Sequence, residues 1–246
     1  MRAVLFDFGG TLDWPRHWLD RFLTHYRDAG LRLTRAELDP AFDAATRTAY
    51  RSASALRNYG LAELLPFLVS RQLEYLRDVE SARTPRFATE LGTDAVIREL
   101  SRRISDAFVK ESIAGLARSR AVLAALDPRL KIGAVSNFYG NLARILDDAG
   151  FTGLVAAIAD SGRLGLYKPD PGIYRAALAT LGVPATAAIM VGDSLDKDCA
   201  PARGLGMRTV WLRHQDAPPT DEQARSHADF TIIALEELND LLCRIS

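Results

Sequence analysis

The residues of this sequence best suited to chemistry stand at the ends of its apolar runs. Asp7 closes the run Arg2-Ala-Val-Leu-Phe6 and is followed by Phe8-Gly9-Gly10-Thr11-Leu12-Asp13. Ser136 and Asn137 close the run that begins at Lys131, and Ala187-Ala-Ile-Met-Val191 leads through Gly192 to Asp193 and then Asp198. Between them, Tyr167-Lys168-Pro169-Asp170-Pro171 is a rigid turn presenting one lysine. Carboxylates brought together without a cation repel, and some are forced to stay protonated. A hard divalent ion relieves this, and Mg²⁺ takes few protein oxygens while keeping positions for water and a phosphate oxygen. A phosphoryl group neutralised in this way is open to attack by a carboxylate. The product of that attack is an acyl phosphate, which water then hydrolyses. A lysine adds a second positive charge, and hydroxyls with backbone N–H groups can hold the remaining phosphate oxygens.

These groups need a scaffold that carries several strand ends to one edge. Apolar runs at 2–7, 131–136, 154–159, 187–191, 208–212 and 230–233 read as buried strands. Between the later ones lie helical patterns at 118–126, 140–149, 172–181, 199–205 and 235–243. This alternation predicts a parallel sheet with helices on both faces. In such sheets ligands bind beyond the C-terminal ends of the strands, where the candidate residues stand.

From about residue 16 to 114 the texture is helical. Trp18, Leu19, Phe22, Leu23 and Tyr26 recur at helical spacing, and Val96, Ile97, Leu100, Ile104 and Phe108 form another stripe. Pro66 is expected to open a helix carrying Phe67, Leu68, Leu73 and Leu76, since proline suits a helix's first turn. The expected organisation is therefore a three-layer, parallel-sheet, Rossmann-like α/β core of residues 1–14 and 116–246, with an α-helical cap inserted at 15–115. Trp14 and Trp18 are expected to pack between the two, and the polar segment 214–228, with Pro218-Pro219, reads as a solvated connection.

Composition narrows the function further. The 246 residues are 48% hydrophobic and 25% charged, ordinary for a chain that buries a real core. Thirty-one basic residues balance thirty-one acidic ones, which argues against nucleic acid or an acidic membrane as partner. Cys199 and Cys243 have neither disulfide nor metal-ligand spacing and read as buried or semi-buried thiols. The N-terminus lacks the pattern of a signal peptide, and no apolar run approaches the roughly 20 residues of a membrane span. A cytoplasmic protein is expected; the sequence specifies no oligomeric state.

Asp7-Phe-Gly-Gly-Thr-Leu, Ser136-Asn, Lys168-Pro-Asp-Pro and Gly192-Asp-Ser-x-x-x-Asp198, in that order, resemble the four motifs of the haloacid dehalogenase-like superfamily. Ala200-x-x-x-Gly204-x-Gly206-Met207 and Thr209-Val-Trp are similar to the segment after the last motif in that family. The resemblance implies Asp7 as nucleophile and metal ligand, with the carbonyl of Gly9, Asp193 and Asp198 completing a Mg²⁺ site. It implies Lys168 as a catalytic cation, and Ser136 and Lys168 as phosphate ligands. Asn137 and Thr11 would support the phosphate, and His17, where the chain enters the cap, would lie near a small phosphorylated substrate. One position departs from the pattern. Phosphatases of this family carry an aspartate two residues after the nucleophile as general acid and base, and here that residue is Gly9. Dehalogenases of the family also replace it, but they lose the acidic pair that Asp193 and Asp198 retain. Phosphonate-cleaving relatives use a cap lysine, and no lysine precedes Lys110. The resemblance thus implies hydrolysis of a phosphate monoester, with a catalytically weak metal- and phosphate-binding module as the alternative. Asp13 is expected to hydrogen-bond within the turn, Asp170 to stabilise its own, and Asp196 and Lys197 to be solvated.

Overall fold

Residues 1–13, 16–214 and 227–245 are described by a computed structural model. Six strands form one sheet: β1 (Ala3–Phe6), β2 (Lys131–Ser136), β3 (Ala157–Asp160), β4 (Ala188–Gly192), β5 (Arg208–Leu212) and β6 (Phe230–Ile232). Their order is β3-β2-β1-β4-β5-β6, and every neighbouring pair is parallel. The apolar run of β1 is wholly buried because the strand is flanked on both edges, by β2 and β4, and covered on both faces. The chain winds outward from β1 through β2 to β3, then returns to β1's other edge for β4. That reversal opens a crevice beyond the ends of β1 and β4. The fold is the expected Rossmann-like α/β one. Strand boundaries agree within a few residues, the largest shift being the start of β3, at Ala157 rather than Leu154.

The segment Trp18–Ser112 is one compact unit, and Met1–His17 with Ile113–Ser246 is the other. The first is helical. Its α1 (Trp18–Asp28) buries Trp18, Leu19, Phe22 and Tyr26, and Phe22 packs on Phe108 with ring centroids 4.5 Å apart. A reciprocal cap starts α2 (Arg35–Arg51): Glu37 N–H donates to Thr34 Oγ1 at 3.3 Å, and Thr34 N–H to Glu37 Oε2 at 2.7 Å. Pro66 does not open its helix. α3 runs Leu61–Asp78 with Pro66 inside it, because the start is fixed upstream, where Gly60 N–H donates to Glu63 Oε2 at 2.9 Å. The stripe 96–108 and the pattern 118–126 are likewise one continuous helix, α4 (Asp94–Ala124), which tolerates Gly115 at a cost of about 1 kcal/mol. Arg21 is buried, donating to Glu111 Oε2 at 2.8 Å and Ser112 Oγ at 2.6 Å over the Phe108 ring.

In the sheet unit, α5 (Leu142–Asp148) and α6 (Pro171–Leu181) connect strands. Asp170 caps α6, accepting from Gly172 N–H at 2.7 Å, so it does stabilise its own turn. Ile173, Tyr174, Ala177 and Leu181 of α6 pack with Leu5, Val135 and Met190 in one core cluster. Cys199 is buried as expected, but Cys243 is exposed. On α7 (Leu238–Ile245) the buried stripe is Leu238, Leu241 and Leu242, and the next position rotates outward. Trp14 and nearly all of the polar segment 214–228, Pro218-Pro219 included, lie outside the described residues. Among the described residues no helix is long and apolar enough to cross a membrane.

Candidate active site

Asp7 follows β1 directly, and its N–H donates to the Val191 carbonyl at 2.9 Å, carrying the sheet one residue past the strand. The chain then folds into a tight turn in which the Phe8 carbonyl accepts from the N–H groups of Thr11, Leu12 and Asp13. Asp13 is fully buried, and its Oδ1 accepts from Gly10 N–H at 2.8 Å, which is the turn-holding role expected of it. Gly10 has φ +86, and a Cβ there would lie 2.4 Å from Asp193 Oδ2. Glycine is required at this position on both counts. Gly10→Ala should therefore lower the unfolding free energy by about 1–3 kcal/mol and displace Asp193. Denaturant melts and a Mg²⁺ titration check this, and unchanged values in both would refute the steric argument. Gly9 is not among the glycines with positive φ, so aspartate is absent there for no reason of backbone conformation.

The other motifs arrive from neighbouring elements. Ser136, the last residue of β2, donates from Oγ to Asp7 Oδ1 at 2.9 Å. Lys168 Nζ donates to Asp7 Oδ1 and to Asp198 Oδ1, both at 2.6 Å. Burial alone would pull the Lys168 ammonium down, but the Asp198 and Asp7 charges outweigh it and hold the group above its ordinary value. Lys168 thus stands here as a fixed cation rather than a base. Asn137, expected at the phosphate, uses both ends of its amide on the lysine's main chain. Its Oδ1 accepts from Lys168 N–H at 2.7 Å and its Nδ2 donates to the Lys168 carbonyl at 3.0 Å. Thr11 is buried, its Oγ1 without a hydrogen-bond partner among the described residues, and His17 is exposed at the end of the first stretch of the sheet unit.

After β4 a single wide π-type turn, Leu195–Cys199, brings Asp198 back over the strand end. A Cβ on Gly192 would lie 2.4 Å from Asp198 Oδ2, so the glycine permits this approach. Ser194 N–H donates to Asp198 Oδ2 at 3.0 Å, Lys197 N–H donates to Ser194 Oγ at 3.1 Å, and the Tyr174 hydroxyl bonds the Lys197 carbonyl. Asp196 and Lys197 are exposed, as expected.

The outcome is a cluster in which carboxylate oxygens of Asp7, Asp193 and Asp198 lie within 4.8 Å of one another. Burial pushes the Asp198 carboxyl up to about 7, with the charges of Asp7 and Asp193 adding to the effect and Lys168 opposing it. With all three carboxylates ionised, one ammonium leaves two negative charges unbalanced. Asp7 Oδ2 and Asp193 Oδ1 accept no hydrogen bond from a described residue. An all-oxygen donor set with surplus negative charge and unused lone pairs fits Mg²⁺.

Two residues of this region carry no motif. Asp160 is buried at the end of β3 and accepts from the N–H groups of Gly140, Leu142 and Gly162, fixing the loop behind Ser136. His214 lies beyond β5, with its Nε2 3.0 Å from Asp193 Oδ2. The signal for His214 was available in the strand order: β5 pairs with β4 in parallel, with Trp211 opposite Gly192, so residues past both ends are neighbours.

Comparison with known proteins decides the family. The model of the haloacid dehalogenase-like hydrolases matches residues 1–206. The chain belongs to the haloacid dehalogenase-like hydrolases. A haloacid dehalogenase-like hydrolase domain-containing protein 3 from Danio rerio is 30% identical over 224 residues, 89% of this chain and 88% of that one. A phosphoserine phosphatase from Thermus thermophilus is 34% identical over 130 residues, 51% of this chain and 52% of its own length. A solved structure of a 2-haloacid dehalogenase from Pseudomonas syringae covers 100% of both chains with a TM-score of 0.53 at 20% identity, a likeness of fold. Within the haloacid dehalogenase-like hydrolases both phosphatases and dehalogenases are thus similar to this chain. The choice between them lies with the residues of the site.

Proposed function

We propose that this hydrolase is a Mg²⁺-dependent phosphatase that cleaves a small phosphate monoester through an aspartyl-phosphate at Asp7. The observation that carries this is the convergence of Asp7, Asp193 and Asp198 around Lys168. Displacing a halide from carbon needs one attacking carboxylate and no cation, which leaves the other two carboxylates idle, whereas a phosphoryl group arrives with charge that a cation must offset.

Asp7, Asp193 and Asp198, with the carbonyl of Gly9, would hold the Mg²⁺, which when bound neutralises charge on the phosphoryl oxygens. Asp7 attacks the phosphorus, the bond to the ester oxygen breaks, and the leaving oxygen departs as an alkoxide or phenoxide that takes its proton from water. Ser136 and Lys168 hold one oxygen of Asp7 and so fix the direction of attack. On this reading they also donate to the equatorial phosphate oxygens. Asn137 keeps the lysine in register through its main chain. Water then cleaves the aspartyl-phosphate, returning the Asp7 carboxylate and releasing inorganic phosphate. Thr11 and His17 are assigned to the substrate side. The balanced charge of the chain supports a small metabolite rather than nucleic acid or a membrane, and two free cysteines fit a reducing, cytoplasmic setting.

A screen of sugar phosphates, nucleotides and short acid phosphates tests this reading. Turnover should require Mg²⁺ and disappear in excess chelator, and full activity in chelator would remove the metal assignment. Gly9 favours a second reading, a module that binds metal and phosphate with little turnover. Stabilisation by phosphate without hydrolysis of any ester would select it.

A further inference from the structure

Each carboxylate of the cluster has its own support, and the three supports differ. Asp7 is held by Ser136 and Lys168, and Asp198 by Lys168 and the Ser194 N–H. Asp193 is out of this network. Its main chain is fixed by the Trp211 indole, which donates from Nε1 to the Asp193 carbonyl at 2.9 Å. Its Oδ2 lies against the backbone of Gly10, so the carboxylate has no room to swing toward that side. The remaining side-chain contact is His214, whose Nε2 is 3.0 Å from Oδ2, with side chains 18% and 8% exposed.

We infer that His214 is a positioning residue for the metal site: it fixes Asp193 by donating from Nε2 to Oδ2, so that Oδ1 faces the cation. This rests on the metal assignment proposed above. A carboxylate that binds a cation is ionised and can only accept a hydrogen bond, so the imidazole must donate. Both the neutral Nε2–H tautomer and the imidazolium do so, and the role requires no change of protonation. Without the ring, Asp193 would keep its backbone anchor but lose the restraint on the rotation of its carboxylate. Groups that orient ligands in this way contribute about 10–100-fold in metal affinity. Nothing in the four motifs specifies His214, so the restraint belongs to this chain and not to the motif pattern.

The test is calorimetric titration of the full chain with Mg²⁺ in metal-stripped buffer, without substrate, for wild type, His214→Ala and His214→Gln. Alanine should weaken Mg²⁺ binding by about 10–100-fold. Glutamine, whose amide N–H can reach the place of Nε2, should restore most of it. Melting temperatures of the metal-free proteins should agree, which separates the effect from misfolding. Unchanged Mg²⁺ affinity in His214→Ala overturns the inference, and if KM for a phosphate ester rises instead, His214 touches substrate. Equal loss in both variants also overturns it, since hydrogen-bond donation would then not be the cause. Wild type that binds no Mg²⁺ removes the metal assignment itself, a different failure from an unaffected variant.

Discussion

Asp7→Asn is expected to reduce turnover to below about a thousandth of wild type, as loss of a nucleophile does, while leaving the fold intact. The amide is nearly isosteric, and its carbonyl can still accept from Ser136 and Lys168. Lys168 also keeps its 2.6 Å contact with Asp198, so no buried charge is stranded. Removing one of three crowded carboxylates relieves repulsion, and the metal-free protein should melt at the same temperature or higher. The amide cannot form an acyl phosphate, so labelled phosphate should no longer be trapped on the protein. A variant within tenfold of wild-type rate, free of contaminating phosphatase, would end the case for covalent catalysis at Asp7.

Gly9→Asp is expected to raise turnover of alkyl phosphates by about a hundredfold to ten-thousandfold, the usual contribution of a positioned acid/base. Wild type lacks a proton donor at this position. Its rate should fall steeply as the leaving group becomes more basic, with aryl and acyl phosphates cleaved best. Its second step lacks the base too, so the aspartyl-phosphate should accumulate and be seen on rapid quench. The aspartate should flatten that dependence and discharge the intermediate. The left-handed backbone lies at Gly10, so position 9 can accept a side chain conformationally. Rapid, leaving-group-independent hydrolysis of alkyl phosphates by wild type would mean that another group supplies the proton. Asp13 is committed to Gly10 N–H in the turn, which makes His17→Ala the first variant to measure.

The sheet was legible because each strand is a short apolar run ended by a residue that cannot continue it, and the motif residues stand at those ends. Ser136, Lys168, Asp193 and Asp198 gather around Asp7 because parallel strands put their C-terminal ends at one edge. Helix starts were less legible. Pro66 is a valid first-turn residue, but a carboxylate three residues past Gly60 outweighed it. Gly115 marks no end within α4. Asn137 could be placed but not oriented, since spacing does not reveal that its amide matches a peptide group 31 residues on. His214 and Asp160 were missed because their partners come from strand pairing, which no local pattern encodes.

The sheet order also bears on the timing of folding. β1 precedes the other five strands of the sheet and sits between β2 and β4, which begin at Lys131 and Ala188. The bonds from Asp7 to Ser136 and Lys168 close spans of 129 and 161 residues. Such non-local contacts form late, after the loop-closure entropy has been met. On the ribosome, the helical unit Trp18–Ser112 is complete before any partner of β1 exists. A four-residue apolar strand therefore waits unpaired until the chain has been made past Lys131, the condition in which nascent chains aggregate. Its brevity limits that hazard, and the carboxylate cluster around Asp7 is complete only once Asp198 has been made.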